Sequence, residues 1–175
     1  MKDILKNFIK DVKIELDGEF DKNFERKGFF DKKWKQTKLT NARGSLMMRT
    51  GTLRNSISST ANASGISYTS SLPYASVHNE GGEITVSAQM KKFFWAMYYK
   101  TSAASGSGPV TRRQRMSTEA SQWKAMALKK VGSKIKIPQR QFIGDHPQVR
   151  KAIENVFEHD TMPEIEQYFK SKFNL

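Results

Sequence analysis

Cysteine is absent from this 175-residue chain, which excludes disulfide frameworks, thiolate metal sites and cysteine nucleophiles together. Long apolar runs are absent as well. The longest, residues 93–99, is far shorter than the roughly 20 residues that a membrane-spanning helix needs. The N-terminal segment MKDILKNFIKDVKIELD carries acids throughout and has no secretory apolar region, so no signal peptide is predicted. We therefore expect a protein that is made and used in a cytoplasm, or is assembled into a particle there.

The usual sequence signatures of catalysis are missing too. The histidines form no HxH, HxxxH or HExxH pattern, so the zinc templates fail. The chain contains no GxSxG, P-loop or GxGxxG motif. Most carboxylates of the first helix alternate with lysines, as solvated pairs do. The sequence therefore predicts neither an enzyme nor a cofactor nor a metal site. The three histidines are His78, His146 and His159.

One short stretch, LPYASVHNEGG at residues 72–82, is a candidate for chemistry. His78 and Glu80 would be a base and its partner if they shared one face of a continuing strand. Gly81 and Gly82 follow at once and end such a strand. A hydrolase using this pair is the weakest of the functional hypotheses.

The composition is that of a folded protein. Apolar residues make up 37% of the chain and aromatic residues 11%, enough to support a core. A chain of this length is most simply one domain. We predict a single domain over residues 1–175 of the α+β class, with a small, mostly antiparallel sheet. A long N-terminal helix, a central helix and C-terminal helices flank that sheet.

Apolar residues recur in steps of four from Ile4 to Phe24, which predicts a long N-terminal helix within residues 1–28. Gly18 is a plausible place for a bend or break, and Gly28 for the cap that ends the helix. The aromatic cluster that follows is expected to anchor a connecting segment to the core, with base stacking as the alternative. That cluster consists of Phe29, Phe30 and Trp34.

Three further helices are predicted beyond the middle of the chain. Residues 90–98 have the i, i+3, i+4, i+7 spacing of an amphipathic helix. His146 lies where a helix opens, before the helix-starting Pro147. Thr161 begins a capping-box pattern, and the helix after it is expected to bury its apolar residues. Those residues are Ile165, Tyr168, Phe169 and Phe173.

Short alternating runs predict the strands. Residues 53–60 and 65–71 form a hairpin-type pair, and residues 82–87 and 134–138 add two more strands. Residues 101–109, TSAASGSGP, are small and polar, which indicates a linker.

The net charge of +13 is concentrated in one part of the chain. Residues 100–140 hold ten Lys/Arg and a single acid, Glu119. Such a patch attracts phosphate backbones or an acidic protein surface; a solubilising surface or a mobile arm is the alternative. We predict a basic, partly flexible insertion at residues 101–132. The candidate contacts to DNA or to an acidic partner are Lys100, Arg112, Arg113, Arg115, Lys124, Lys129, Lys130, Lys134 and Lys136.

Several segments, taken in order, carry a family resemblance. Trp34 is followed by Arg43, by TGTLRNSI at residues 50–57, by PYASVHNEGG at residues 73–82, and by IPQRQFIG at residues 137–144. The ordered set resembles the phage virion morphogenesis family, which includes the tail completion proteins of contractile-tailed phages and Mu-like prophages. Its main departure from the family pattern is a longer and more basic stretch before the last of these segments.

The resemblance implies architectural roles for the motif residues. Gly51 would permit a tight start of a strand in which Leu53 and Ile57 are buried on one side. Arg140 and Phe142 would share a face of an extended segment, where Arg140 would pair with a carboxylate. The remaining motif residues named by the resemblance are Trp34, Arg43, Arg54 and Gly144.

The resemblance also gives the stretch at residues 72–82 an architectural reading. Tyr74 and Ala75 would form a packed strand segment, with the Tyr74 ring buried and its hydroxyl bonded to a polar group. His78 would form hydrogen bonds at the end of that strand. Gly81 and Gly82 would form the turn that leads to the central helix.

The function implied by the resemblance is structural. The chain would be a subunit of the head–tail connector or neck, completing the tail or joining tail to head, as part of a ring. It would meet other connector or tail proteins in the bacterial host cytoplasm and then stay in the virion. No cofactor, membrane or small-molecule substrate is implied. The alternative is a basic nucleic-acid-binding protein that acts through residues 100–140.

Overall fold

The computed structural model describes residues 2–37, 45–106 and 108–173. The fold is α+β, 60% helix and 16% strand, with three small antiparallel two-stranded sheets flanked by helices. This confirms the predicted class. The contacts divide the chain into two compact units. Unit 1 comprises Met1–Trp34, Leu53–Ala75 and Gln141–Leu175, and unit 2 comprises Lys35–Thr52 and Ser76–Arg140. The single domain over residues 1–175 stays a prediction.

The core of unit 1 forms around helix α1, Lys2–Arg26. The predicted step-of-four stripe is buried from Val12 to Phe24. It packs with Val149 and Val156 of a C-terminal helix. Helix α1 runs through Gly18 without a break, so the chain does not leave the helix at this glycine. Gly18 lies in the middle of the helix and is exposed. A single glycine there destabilises the helix by only about 1 kcal/mol relative to alanine, so the helix continues through it.

The end of α1 leads into a tight two-stranded ribbon. The residue that leaves the helix with a positive φ of 55° is Lys27, not Gly28. Gly28 instead starts β1, Gly28–Phe29, which pairs with β2, Lys32–Lys33. A Cβ at Gly28 would lie 2.8 Å from the Lys32 carbonyl oxygen. Glycine is therefore required at position 28, directly after Lys27, because the backbone there lies close to the backbone of Lys32.

The second sheet of unit 1 is the hairpin formed by β3, Ile57–Asn62, and β4, Gly65–Ser70. It confirms the predicted hairpin, with Asn62 opposite Gly65 at the turn. The predicted first strand began at residue 53, but the chain there forms a short helix, α2, Thr52–Asn55. The Ser56 amide and hydroxyl both bond to the Leu53 carbonyl, and this local turn ends before the strand begins.

Unit 2 contains a helical hairpin and a small sheet. Helix α3, Ala75–Glu80, leads to β5, Gly82–Thr85, which pairs with β6, Lys134–Ile137. Between them lie α4, Ala88–Ser105, and α5, Val110–Ala127. The central helix, the strand near residue 82 and the strand ending at Pro138 are confirmed.

The predicted linker at residues 101–109 is wrong for its first half. Helix α4 continues to Ser105, and Thr101 is buried. The hydroxyls of this segment are satisfied within the helix: the Thr101 hydroxyl donates to the Met97 and Tyr98 carbonyls, and the Ser105 hydroxyl donates to the Ser102 carbonyl. The segment from residue 110 to 127 is α5, so the basic insertion is mostly helix.

The C-terminal part of unit 1 is a continuous helical rod. Helix α6, Pro147–Val156, starts as predicted, and the His146 side chain caps it by accepting from the Gln148 amide. A π-helical turn, Phe157–Thr161, then leads into α7, Met162–Phe173. Thr161 is buried inside the π turn instead of capping a new helix, so the predicted helix break is wrong. No residue of α7 is buried, which corrects the predicted burial of its aromatic face.

Within the described ranges 2–37, 45–106 and 108–173, the helices fall short of the length and apolar character that crossing a membrane requires.

Candidate functional site

Two motif residues that lie far apart in sequence meet in the core of unit 1. Trp34 and Phe142 are both buried. The Phe24 ring lies between them, with its centroid 5.7 Å from the Trp34 ring and 5.2 Å from the Phe142 ring. The Trp34 indole donates to the Gln141 carbonyl at 2.6 Å. The predicted role of Trp34 as an anchor of the connecting segment is consistent with this packing.

A buried amide that the sequence did not single out holds the same region together. Asn23 is fully buried. Its Nδ2 donates to the Phe142 carbonyl at 3.1 Å, and its Oδ1 accepts from the Phe30 amide at 3.0 Å. Asn23 thereby satisfies two backbone groups that would be costly to bury without partners. The only sequence signal was a polar residue directly before the apolar Phe24.

The TGTLRNSI motif fastens its short helix to α1. Arg54 forms ion pairs with Asp21 and, at 2.9 Å, with Glu25. Hydrogen bonds to these carboxylates raise the pKa of the Arg54 guanidinium. Leu53 is buried as predicted, but from the helix and not from a strand, and Ile57 is half-buried at the start of β3.

The other members of these motifs lie on the edges of the elements. Gly51 precedes helix α2, not a strand, and Gly144 lies in a bend before α6, with a φ of +149°. Arg43, which the resemblance also named, lies outside the described residues.

The stretch LPYASVHNEGG forms a helix, which corrects the predicted packed strand. Helix α3 begins at a buried Ala75, and Tyr74 is 39% exposed instead of packed. Pro73 lies in the turn before the helix, in which the Ala75 amide donates to the Leu72 carbonyl at 3.1 Å, and its fixed φ suits the second position of such a turn. On a helix, His78 and Glu80 point about 160° apart. They do not face each other, so this geometry does not support the base and partner of a hydrolase.

His78 and Arg140 form the centre of a backbone junction in unit 2. The Arg140 amide donates to the His78 carbonyl at 2.8 Å. The buried Arg140 side chain donates through Nε to the Lys35 carbonyl at 3.1 Å. Among the described residues Arg140 forms no ion pair, so the predicted carboxylate partner is replaced by a backbone oxygen. Burial lowers the pKa of the Arg140 guanidinium.

Burial, and secondarily the charge of Arg140, lowers the pKa of His78 below its usual 6.5. The folded state therefore binds this proton more weakly than the unfolded state does. The stability contributed by neutral His78 is fully present above about pH 6.5 and is lost as the pH falls through the lowered value. We expect His78→Gln to flatten the change in urea midpoint between about pH 7.5 and about pH 5. An unchanged pH dependence in His78→Gln would contradict this role.

Gly81 makes the corner after α3 possible. Its φ is +78°, and a Cβ there would lie 2.9 Å from the Gln139 backbone nitrogen. Gly82 then opens β5 opposite Ile137. The backbone of this corner thus approaches the segment after β6 too closely for any side chain. The change of direction expected at the two glycines lies at Gly81, whereas Gly82 already belongs to strand β5.

Gly81→Ala is expected to lower the free energy of unfolding by about 1–3 kcal/mol, because alanine would be strained at this φ and would contact the Gln139 backbone. Urea unfolding followed by circular dichroism measures the loss. Gly18→Ala is the control, since its Cβ would meet nothing within 4 Å and alanine favours a helix interior by up to about 1 kcal/mol. Equal effects of the two changes would refute the corner role.

The predicted basic residues lie on the surface of unit 2. All nine are exposed. Lys124 lies over the Tyr98 ring at 5.8 Å, and Lys134 pairs with Glu83 at 2.9 Å. The structure places Lys100 on α4, three arginines at the start of α5, two lysines in the turn after α5, and two on β6. The latter seven are Arg112, Arg113, Arg115, Lys129, Lys130, Lys134 and Lys136.

The single acid of the basic region is buried. Glu119 of α5 accepts from the Arg49 guanidinium and from the Trp123 indole at 3.2 Å. The Arg49 guanidinium also lies over the Trp123 ring at 5.9 Å. Glu119 is thus used inside unit 2, and the exposed charge that the hairpin presents is positive.

Within the ranges that the structure describes, no group of three His, Cys, Asp or Glu residues is arranged to hold a metal ion.

Comparison with known proteins agrees with the ordered motifs. The model of the phage virion morphogenesis family matches residues 26–160. No curated protein and no solved structure matches the chain significantly.

Proposed function

Because the chain belongs to the phage virion morphogenesis family, and so has a role in phage assembly, we propose that it completes the tail or joins the tail to the head as a structural subunit of the neck. The match over residues 26–160 carries this proposal. In it, the subunits act as a ring and meet other connector or tail proteins. They assemble in the cytoplasm of the host and remain in the virion.

The use of the motif residues supports a structural role over an enzymatic one. Trp34 and Phe142 are buried in the core of unit 1. His78 and Arg140 join backbone segments in unit 2. Residues that hold the fold in this way have little freedom for proton transfer or nucleophilic attack, which require groups within reach of a substrate.

Deletion of the gene from the phage or prophage that encodes it tests the proposal. We expect heads and tails to accumulate separately, or tails with incomplete ends, as seen by electron microscopy of lysates. The wild-type gene and Gly18→Ala, supplied in trans, should restore infectious particles. Normal joined particles from the deleted phage would refute the proposal.

The exposed cations favour a second candidate, in which the basic hairpin contacts DNA. Arg112, Arg113 and Arg115 lie on one end of α5 and are exposed. If they contact phosphates, replacing all three by Glu should abolish binding to duplex DNA, and the wild-type affinity should fall with salt at a slope of about −0.9 per phosphate contacted. An affinity independent of salt would contradict this candidate.

A further inference from the structure

Helix α7 presents an apolar stripe to solvent. Met162, Phe169 and Phe173 lie within about 40° of one another around the helix, and 37%, 40% and 60% of their respective surfaces are exposed. The Phe169 and Phe173 rings stack on each other with their centroids 5.9 Å apart. Exposed apolar residues grouped in this way commonly mark an interaction surface. We call these three residues, together with the adjacent Glu166, the α7 face.

The α7 face continues an acidic stretch. Residues 154–168 contain five acids and no Lys or Arg, and the exposed Lys170 and Lys172 follow in the last turn of α7. All five are exposed, and within the described ranges none of them forms an ion pair. Their negative charge is therefore available to a partner. The acids are Glu154, Glu158, Asp160, Glu164 and Glu166.

Unit 2 carries a surface of opposite charge that is also apolar. In the turn after α5, Leu128 and Val131 are 63% and 60% exposed. They flank Lys129 and Lys130 in the sequence. Neither lysine forms an ion pair among the residues that the structure describes. Phe93 of α4 is exposed. Its ring centroid lies 5.9 Å from that of Trp123, which is near the same end of α5. The basic turn patch comprises these residues: Phe93, Leu128, Lys129, Lys130 and Val131.

The basic turn patch is well ordered by backbone hydrogen bonds. The Gly132 amide donates to the Val86 carbonyl at 2.9 Å, and the Val86 amide donates to the Ser133 carbonyl at 2.8 Å. These bonds hold the turn beside the start of α4. A surface that is already fixed loses little conformational entropy on binding.

We propose that the α7 face of one copy docks on the basic turn patch of a second copy. Each surface combines exposed apolar side chains with unpaired charge, which is negative along residues 154–166 and positive at Lys129 and Lys130. Aromatic rings would form the centre of the contact and charges its rim, which is the usual anatomy of an interface. Charge complementarity selects this pairing over α7 against α7, which would bring two acidic stretches together.

The contact is head-to-tail, since two different surfaces of the same chain meet. Such contacts repeat from copy to copy and give a closed ring when the rotation between copies closes. The inference thus rests on the ring part of the proposed function and assigns its interface.

A charge swap in the full-length chain tests the interface. One variant carries Glu158→Lys with Glu166→Lys, another carries Lys129→Glu with Lys130→Glu, and a third carries all four changes. Sedimentation velocity from about 1 to 100 μM covers the association of a micromolar contact. We expect the wild type to associate at low salt, each double variant to associate at least about tenfold more weakly, and the fourfold variant to recover.

Matched controls separate the contact from net charge. Asp3→Lys with Glu15→Lys changes two exposed acids of α1 by the same charge and should leave association unchanged. Phe173→Ser should weaken association without lowering the urea midpoint, since this ring is mostly exposed. Circular dichroism confirms that each variant is folded.

Three outcomes would overturn the proposal. The first is a wild type that stays monomeric across the concentration range. The second is association that survives both double variants or is not recovered by the fourfold variant, as a contact of α7 with α7 would give. The third is a basic turn patch that binds duplex DNA with a steep salt slope while the chain stays monomeric.

The gene deletion separates this inference from the proposed function. If the charge swap fails while the deletion still blocks the joining of heads and tails, the function stands without this interface. If the swap succeeds while deleted phage form normal particles, the interface stands and the function is wrong.

Discussion

Phe24→Ala is expected to lower the free energy of unfolding by about 3–5 kcal/mol, the range found for removing a buried aromatic ring. Phe24 is 1% exposed and lies between the rings of Trp34 and Phe142. Truncation would leave a cavity bordered by two bulky rings whose positions are fixed. The Trp34 indole is held by its bond to the Gln141 carbonyl, so collapse into the cavity is restricted.

Urea unfolding followed by circular dichroism measures the effect of Phe24→Ala. Leu5→Ala is the matched control, because Leu5 lies on the same helix and is 53% exposed. That change should cost less than about 1 kcal/mol, since little apolar surface is lost from the core. If Phe24→Ala were no more harmful than Leu5→Ala, the cluster of Phe24, Trp34 and Phe142 would not contribute to the stability of unit 1.

Arg49→Met is expected to lower the free energy of unfolding by about 2–4 kcal/mol, because it removes the cation from a buried carboxylate. Glu119 is 3% exposed and pairs with Arg49, whose side chain is 39% exposed. The same change also removes the guanidinium from the face of the Trp123 ring, which is worth about 0.5–1 kcal/mol at such a site.

A double-mutant cycle tests this ion pair. In a Glu119→Gln background, Arg49→Met should cost far less, because no carboxylate charge is left to compensate. Arg112→Met is the control, since Arg112 is exposed on the same helix as Glu119 and forms no ion pair in the described part of the chain. Equal effects of Arg49→Met in both backgrounds would show that the pair does not stabilise unit 2.

Features with a short repeat were predictable because a local pattern determines them. The step-of-four stripe of α1 and the i, i+3, i+4 spacing of α4 each require one buried face. The hairpin of β3 and β4 and the strand ending at Pro138 follow from alternation and turn residues. The ordered motifs led to the family, because their order along the chain was specific where each motif alone was not.

Features that depend on distant partners were not predictable. No sequence pattern indicated that Asn23 is buried. Its bonds to the Phe142 carbonyl and the Phe30 amide explain why a side-chain amide lies there. Glu119 looked like an isolated acid in a basic segment until Arg49 and Trp123 were placed beside it. The carboxylate expected for Arg140 was replaced by the Lys35 carbonyl.

Predictable and unpredictable features differ in how far along the chain the interactions that determine them extend. By itself the sequence determined the α+β class, the main helices and strands, the family and the glycine corner at Gly81, since periodicity and backbone sterics act over a few residues. Only the tertiary structure decided that a helix begins at Ala75, directly after Tyr74, and that α7 leaves its aromatic stripe exposed. Burial depends on which surfaces meet across the fold, and a local pattern shows a face but not its partner.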